Sequence, residues 1–202
     1  AAEAAGAGFA RGVAGAGWGA RAGGLGGGLG SASAVDPVTG ATVGALVAVN
    51  CFGDVCGDDG RFYAAPFELG AEFGGCGPSQ KVPSGPVFPK LGANAKPYAR
   101  GNTTIAVVAT DAALSHEDTQ RFVTMAQAGL ARAVRPVYTP FDGDTVFALA
   151  TAQGPSVDAI GLAQLGEIGA DVLARAIACG VYEARSLDNS WPAWCDKYNK
   201  GL

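Results

Sequence analysis

The sequence predicts an α/β fold organised as one domain, and three observations carry that prediction. Ala41 to Asn50 (ATVGALVAVN) is apolar on both faces, as a strand enclosed between two layers must be. Two more short apolar runs, 104 to 110 and Thr145 to Thr151 (TVFALAT), have strand length and strand composition. Two longer segments instead repeat apolar residues at helical spacing. Phe122, Met125, Ala126, Gly129, Leu130 and Ala133 share one face, and Ile160, Leu165, Ile168, Val172, Leu173 and Ile177 share another. Buried strands interleaved with amphipathic helices define the α/β class, and 202 residues at 49% hydrophobic content are enough for one sizeable core.

In chain order, residues 1 to 10 are alanine-rich and are expected to end a helix at Gly12. Glycines then crowd the segment from Gly15 to Gly30, too densely for a regular helix. Such a backbone suits close approach to other backbone, to a ligand or to a catalytic centre, with a low-complexity linker as the plainer reading. It is too dense to serve as a nucleotide fingerprint, and no GxxxxGK follows. Asn50 ends the first predicted strand. Residues 53 to 100, rich in proline and glycine, predict a long irregular excursion. After the strand at 104 to 110, Ser115 with Asp118 forms a capping box that opens a helix to about Val134. Pro136 and Pro140 interrupt the pattern, and FDGD at 141 to 144 makes a turn into the next strand. The second helix starts near Ser156 and Asp158 and stops at Gly180. The tail, with Trp191 and Trp194, either covers a neighbour or lies free of the body.

Composition excludes several functions. The net charge of −4 and pI near 4.9, without a basic stripe, argue against a nucleic-acid binder. The longest uncharged run, Pro37 to Gly53, is interrupted by Asn50, threonines and glycines, so no membrane span is expected. The start has no secretory pattern and no initiator methionine, which leaves a chain that begins after processing or inside a longer gene product. Cys51, Cys56, Cys76, Cys179 and Cys195 contain no CxxC pair, and the single histidine, His116, lies far from them, so no metal site is expected. Free thiols in a reducing cytoplasm are expected, with a Cys51–Cys56 disulfide as the alternative. No cofactor motif is found. Only 16% of residues are charged, against roughly 25% on average, which predicts that much of the surface is covered by further chains or by a missing segment.

The stretch RGNTTIAVVATDA, 100 to 112, raises the chemical question. Gly101 and Asn102 followed by two threonines can be an ordinary bend into a strand. The other reading is a chain cut between Asn102 and Thr103. Amide hydrolysis needs a nucleophile, a base and donors for the oxyanion. His116 falls in the first turn of a helix, which leaves serine–histidine or cysteine–histidine machinery without its base. An N-terminal threonine supplies both functions, because its own α-amine, with a reference pKa of about 7.7–8.0, can accept the hydroxyl proton. The cut itself is chemically reasonable. Thr103 Oγ attacks the Asn102 carbonyl, the peptide shifts to an ester, and water completes the hydrolysis.

The stretches GAGWGARAG (15 to 23), GGLGSAS (27 to 33), TVGALVAVNCFGDV (42 to 55), GNTTIAVVATDA (101 to 112) and AQAGLARAVRPVYTPFDGDTVFALAT (126 to 151) resemble the L-aminopeptidase/D-esterase (DmpA-like) family of self-processing N-terminal-nucleophile hydrolases, which includes the 6-aminohexanoate-oligomer (nylon) hydrolases. The resemblance covers roughly residues 1 to 180. It implies a four-layer α/β/β/α sandwich of the kind shared with ornithine acetyltransferase, lacking here its N-terminal portion. It implies Thr103 as the nucleophile, freed by cleavage after Asn102, so that 1–102 ends an α-subunit-like part and 103–202 forms a β-subunit-like part. Asn50 would donate to the oxyanion, and Asp142 and Asp144 would hold the threonine amine and hydroxyl. The family carries a lysine where this chain has Gly26. Family members form homo-oligomers, commonly tetramers, and the implied substrates are linear amides: nylon-type oligomers, N-terminal peptide bonds or amino-acid amides. An acyltransferase of the ornithine-acetyltransferase kind and a non-catalytic homologue that lost the lysine are the rival readings.

Overall fold

The computed structural model describes residues 6, 8–80, 101–187 and 191–198. Two short strands, β1 (Arg21–Ala22) and β2 (Leu25–Gly26), pair as an antiparallel hairpin. A four-stranded sheet follows in the order β3 (Gly28–Val35), β4 (Thr42–Val49), β5 (Ile105–Thr110) and β6 (Thr145–Ala150). Its first two pairings are antiparallel, whereas β5 and β6 run parallel. The helices are α1 (His116–Ala126), α2 (Ala128–Ala133), α3 (Ala159–Tyr182) and α4 (Trp194–Tyr198).

The three expected strands lie within one residue of their predicted limits. Ser115 caps α1 as expected, its side chain accepting the Asp118 N–H, and Asp158 caps α3 by accepting the Gly161 N–H. The single helix expected to run to Val134 is two, divided at Gln127. The helix expected over residues 1 to 10 falls partly outside the described residues. Residues 8–11 are not helical, and Gly12, at φ +69°, bridges to Leu29. The later prolines of the irregular excursion also lie outside the described residues, while residues 53–80 contain only bridges, turns and one short 3-10 turn at Ala65–Phe67.

Strand β3 is the element that composition concealed. Glycine is a poor strand former, yet here it is required. A Cβ on Gly28 would lie 2.3 Å from the Gly180 carbonyl oxygen, and one on Gly30 would lie 1.9 Å from that of Ala176. The backbone of α3 rests directly on the backbone of β3, with no room for side chains between them. This is the close approach of backbone to backbone that the glycine density foretells.

One face of the sheet is closed by the helices. Val43, Val47 and Val49 of β4 and Ala106 and Val108 of β5 are fully buried in one core with Phe122, Leu130, Leu165, Leu173 and Ile177. The side chains one residue out of phase point the other way, as the strand period of two demands. Leu46, Ile105, Phe147 and Leu149 are 43–57% exposed there. The described residues therefore supply one sheet and one helix layer of the expected four-layer sandwich. The tail is packed rather than loose: Trp194 is buried, stacks on Phe62 and donates its Nε1–H to the Gly60 carbonyl oxygen at 2.8 Å.

Candidate active site

The topology collects the predicted site residues at one end of the sheet. Because β5 and β6 are parallel, the segments that lead into them lie side by side, with Asn102 bridged to Asp142. Because β4 is antiparallel to β5, its end faces the start of β5, Ala48 opposite Ile105, which brings Asn50 to the same place. The β1–β2 hairpin precedes β3, whose first residue, Gly28, pairs with Val49. Residues spread over more than a hundred positions thus converge without a dedicated loop.

At the centre is the Asn102–Thr103 peptide. Asn102 is buried, at 5% exposure, and its carbonyl oxygen accepts the backbone N–H of Gly143 at 2.9 Å. Gly143 is the middle residue of the Asp-Gly-Asp turn, and a Cβ there would lie 2.8 Å from Thr103 Oγ1. The Thr103 hydroxyl therefore fills the space a side chain at Gly143 would need, while the Gly143 amide donates to the carbonyl of the residue before Thr103. Sequence reading took this turn for its two aspartates and missed its amide. A glycine between two acids at a strand start was the available signal.

Asn50 spans the site. Its Nδ2 donates to the Gly101 carbonyl oxygen at 2.7 Å, and its Oδ1 accepts the Arg21 backbone N–H at 3.1 Å. The amide is thus committed to the carbonyl one residue before that of Asn102. Asp142 is an anchor: Oδ1 accepts the Phe52 N–H at 3.0 Å, and Oδ2 accepts the N–H and Oγ–H of Thr139 at 3.0 and 2.6 Å. Asp144 Oδ1 accepts the Thr104 N–H at 2.8 Å. Thr104 Oγ1 lies near enough to favour the charged carboxylate slightly, but not in hydrogen-bond geometry. Both it and Asp144 Oδ2 are buried without a partner among the described residues.

Burial pushes the Asp144 carboxyl above its usual range, against the opposing Thr104 N–H bond, and the neighbouring Asp142 charge adds to the rise. The folded state therefore holds this proton more tightly than the unfolded chain does. The resulting stabilisation is complete below the ordinary carboxylate range and is lost as pH rises through the raised value. Asp144→Asn keeps an oxygen for Thr104 and removes the ionisation. It should melt higher than the parent at neutral pH, with the difference vanishing in acid. Equal melting curves at neutral pH, measured by circular dichroism, would show that the carboxylate carries no such penalty.

Gly26 lies in β2 with a negative φ, and a Cβ there would meet only the carbonyl oxygens of Trp191 and Pro192, at 3.6 and 3.9 Å. That is ordinary contact, so the position can accept a side chain. All five cysteines are free thiols, and no group of histidine, cysteine or acidic residues suited to a metal ion occurs among the described residues. No described helix is long and apolar enough to cross a membrane. His116 opens α1 exposed, its Nε2 at 3.0 Å from Gln120 Nε2.

The sequence profile of Peptidase family S58 matches residues 1–190. This chain belongs to Peptidase family S58. An uncharacterized aminopeptidase of Mycobacterium leprae is 42% identical over 202 residues, covering 93% of this chain and 52% of that protein. Among solved structures, the L-aminopeptidase D-Ala-esterase/amidase of Ochrobactrum anthropi superposes with TM-score 0.54 at 22% identity, over 83% of this chain and 43% of its own. It is described as a prototype for the serine aminopeptidases and a variant of the Ntn hydrolase fold. A β-aminopeptidase of a Burkholderia species superposes with TM-score 0.62 at 23% identity, over 95% and 53%. The S58 chain thus shares its α/β fold with about half of each of these two structures. It spans about half the length of the curated relative it matches.

Proposed function

We propose that this chain is the catalytic core of an amide and peptide hydrolase that cuts itself between Asn102 and Thr103 and then works with Thr103 as an N-terminal nucleophile. The observation that carries the reading is the Gly143 amide, placed on the Asn102 carbonyl oxygen at 2.9 Å, with the Thr103 hydroxyl occupying the space a side chain at Gly143 would need. A donor on the oxygen where charge develops, beside the attacking group, is the arrangement that acyl transfer needs. Membership of a peptidase family supports the same reading.

After the cut, Asn102 becomes a carboxyl terminus and Thr103 an amino terminus. Asp144, whose Oδ1 already holds the N–H of the next residue, Thr104, and whose Oδ2 is unpartnered among the described residues, is the group we assign to orient the new amine for proton transfer from Oγ. Once the peptide is cut, Gly101 can part from Asn50 Nδ2 while Asn102 stays bound, which leaves the Asn50 amide free to donate to a substrate carbonyl. The substrates we propose are linear amides: N-terminal peptide bonds, amino-acid amides or nylon-type oligomers. The parts 1–102 and 103–202 stay together. The remaining half of the longer protein, and further copies of it in a homotetramer, cover the apolar sheet face and complete the pocket. Five free thiols suit a reducing cytoplasm.

Denaturing intact-mass spectrometry tests the proposal. The expected result is a fragment that begins at Thr103; a chain that remains whole under conditions of full folding would overturn it. Asn50→Ala should retain the fold and lower kcat by about 10²- to 10³-fold, the usual loss for one oxyanion donor. An unchanged kcat on an amino-acid anilide would remove Asn50 from the mechanism.

A further inference from the structure

Arg21 was absent from every role assigned above, yet it is the cation placed on the scissile asparagine. Its Nε donates to Asn102 Oδ1 at 3.0 Å, and its backbone N–H donates to Asn50 Oδ1 at 3.1 Å. Its guanidinium carbon lies 5.2 Å from the ring centre of Trp191, a cation–π distance. The segment carrying Trp191 is fixed in turn by the Gly26 N–H, which donates to the Pro192 carbonyl oxygen at 2.9 Å. Arg21 and Gly26 are direct partners across the β1–β2 pair. The hairpin thus aims one charged side chain at Asn102, and the tail braces it from the other side.

We propose that Arg21 is a positioning residue for the chain-cutting step, and that it becomes the counter-charge of the carboxylate which cutting leaves on Asn102. This rests on the self-cleavage reading above. The asparagine is gripped at two points, its side-chain oxygen by Arg21 and its carbonyl oxygen by Gly143. Two grips fix the plane of the peptide against the Thr103 hydroxyl, which is how positioning lowers a barrier. When Thr103 Oγ bonds to the Asn102 carbonyl carbon, the carbonyl oxygen gains negative charge. The C–N bond then breaks, with the hydroxyl proton ending on the released nitrogen. Water hydrolyses the ester, giving back the Thr103 hydroxyl and leaving a carboxylate on Asn102 and an ammonium on Thr103. A neutral residue has become an anion beside a guanidinium already in place, which adds a charge attraction to the existing Arg21–Asn102 hydrogen bond.

The test follows the appearance of the Thr103-led fragment by intact mass in the protein made from its complete gene, after cell-free synthesis. Arg21→Gln should be cut about 10- to 100-fold more slowly than the parent, the range for losing one hydrogen bond to a charged group. Arg21→Lys should fall between the two. Arg21→Ala should be slow and should recover several-fold with methylguanidinium but not with sodium chloride at equal ionic strength. A folded Arg21→Gln protein cut at the parental rate would overturn the proposal and leave Thr103 untouched. So would an Arg21→Ala protein indifferent to methylguanidinium, with lysine no better than glutamine, since that pattern belongs to a purely structural residue. A parent that is never cut would instead sink the self-cleavage reading, and this proposal with it.

Discussion

Thr103→Ala is expected to leave the chain in one piece and without hydrolytic activity. The substitution removes the proposed nucleophilic hydroxyl and, by preventing the cut, also withholds the amine that would serve as base. No neighbouring hydroxyl can substitute. Thr104 is the next residue, but its Oγ1 is buried beside Asp144 and its N–H is bound to Asp144 Oδ1. Thr103→Ser should be cut and should turn over, because it keeps the hydroxyl and loses only a methyl. Turnover of an amino-acid anilide by a purified Thr103→Ala protein would end the case for this nucleophile.

The second large effect is one of stability. Gly30→Ala places a Cβ 1.9 Å from the Ala176 carbonyl oxygen and 2.6 Å from the Gly180 nitrogen, both backbone atoms of α3. Backbone cannot swing aside as a side-chain tip can, so α3 must lift from β3 along much of its length. The cost should reach about 3 kcal/mol or more, the upper range for overpacking a core. Gly44→Ala is the matched control, since a Cβ at Gly44 would meet its nearest atom only at 3.9 Å. Urea denaturation of the two variants measures the difference. Equal midpoints would show that α3 does not lie on the glycine strand as described.

Much of this could be read from residues alone, for identifiable reasons. The strands at β4, β5 and β6 are apolar, bounded by turn residues and short, so periodicity and composition agree there. The caps of α1 and α3 are written in Ser115 and Asp158. Strand β3 escaped because its determinant is not its own propensity but the helix that will lie on it, some 150 residues later. The site divides in the same way. Thr103, Asn50 and the Asp-Gly-Asp turn stood out by type and by resemblance. The Gly143 amide and Arg21 did not, since a backbone N–H carries no sequence signature and an arginine in a glycine run shows no partner until β1 and β2 pair. Nor did sequence tell the two aspartates apart. Asp142 ties Thr139 to Phe52, while Asp144 keeps a buried oxygen unpartnered.

The place of β5 in the sheet has a consequence for any protein cut at its head. The strand lies between β4, which belongs to the part before the cut, and β6, which belongs to the part after it. Helix α3, from the later part, covers β3 and β4 of the earlier one. The seam is therefore a full strand ladder reinforced by a helix, and neither product owns a complete core. Cutting makes two polypeptides but not two folding units. Made from separate genes, each part should be unable to fold unless the other is present during folding, in the manner of fragment complementation. The peptide bond at Asn102–Thr103 is then a folding tether, needed while the sheet assembles and dispensable once β5 has found its place.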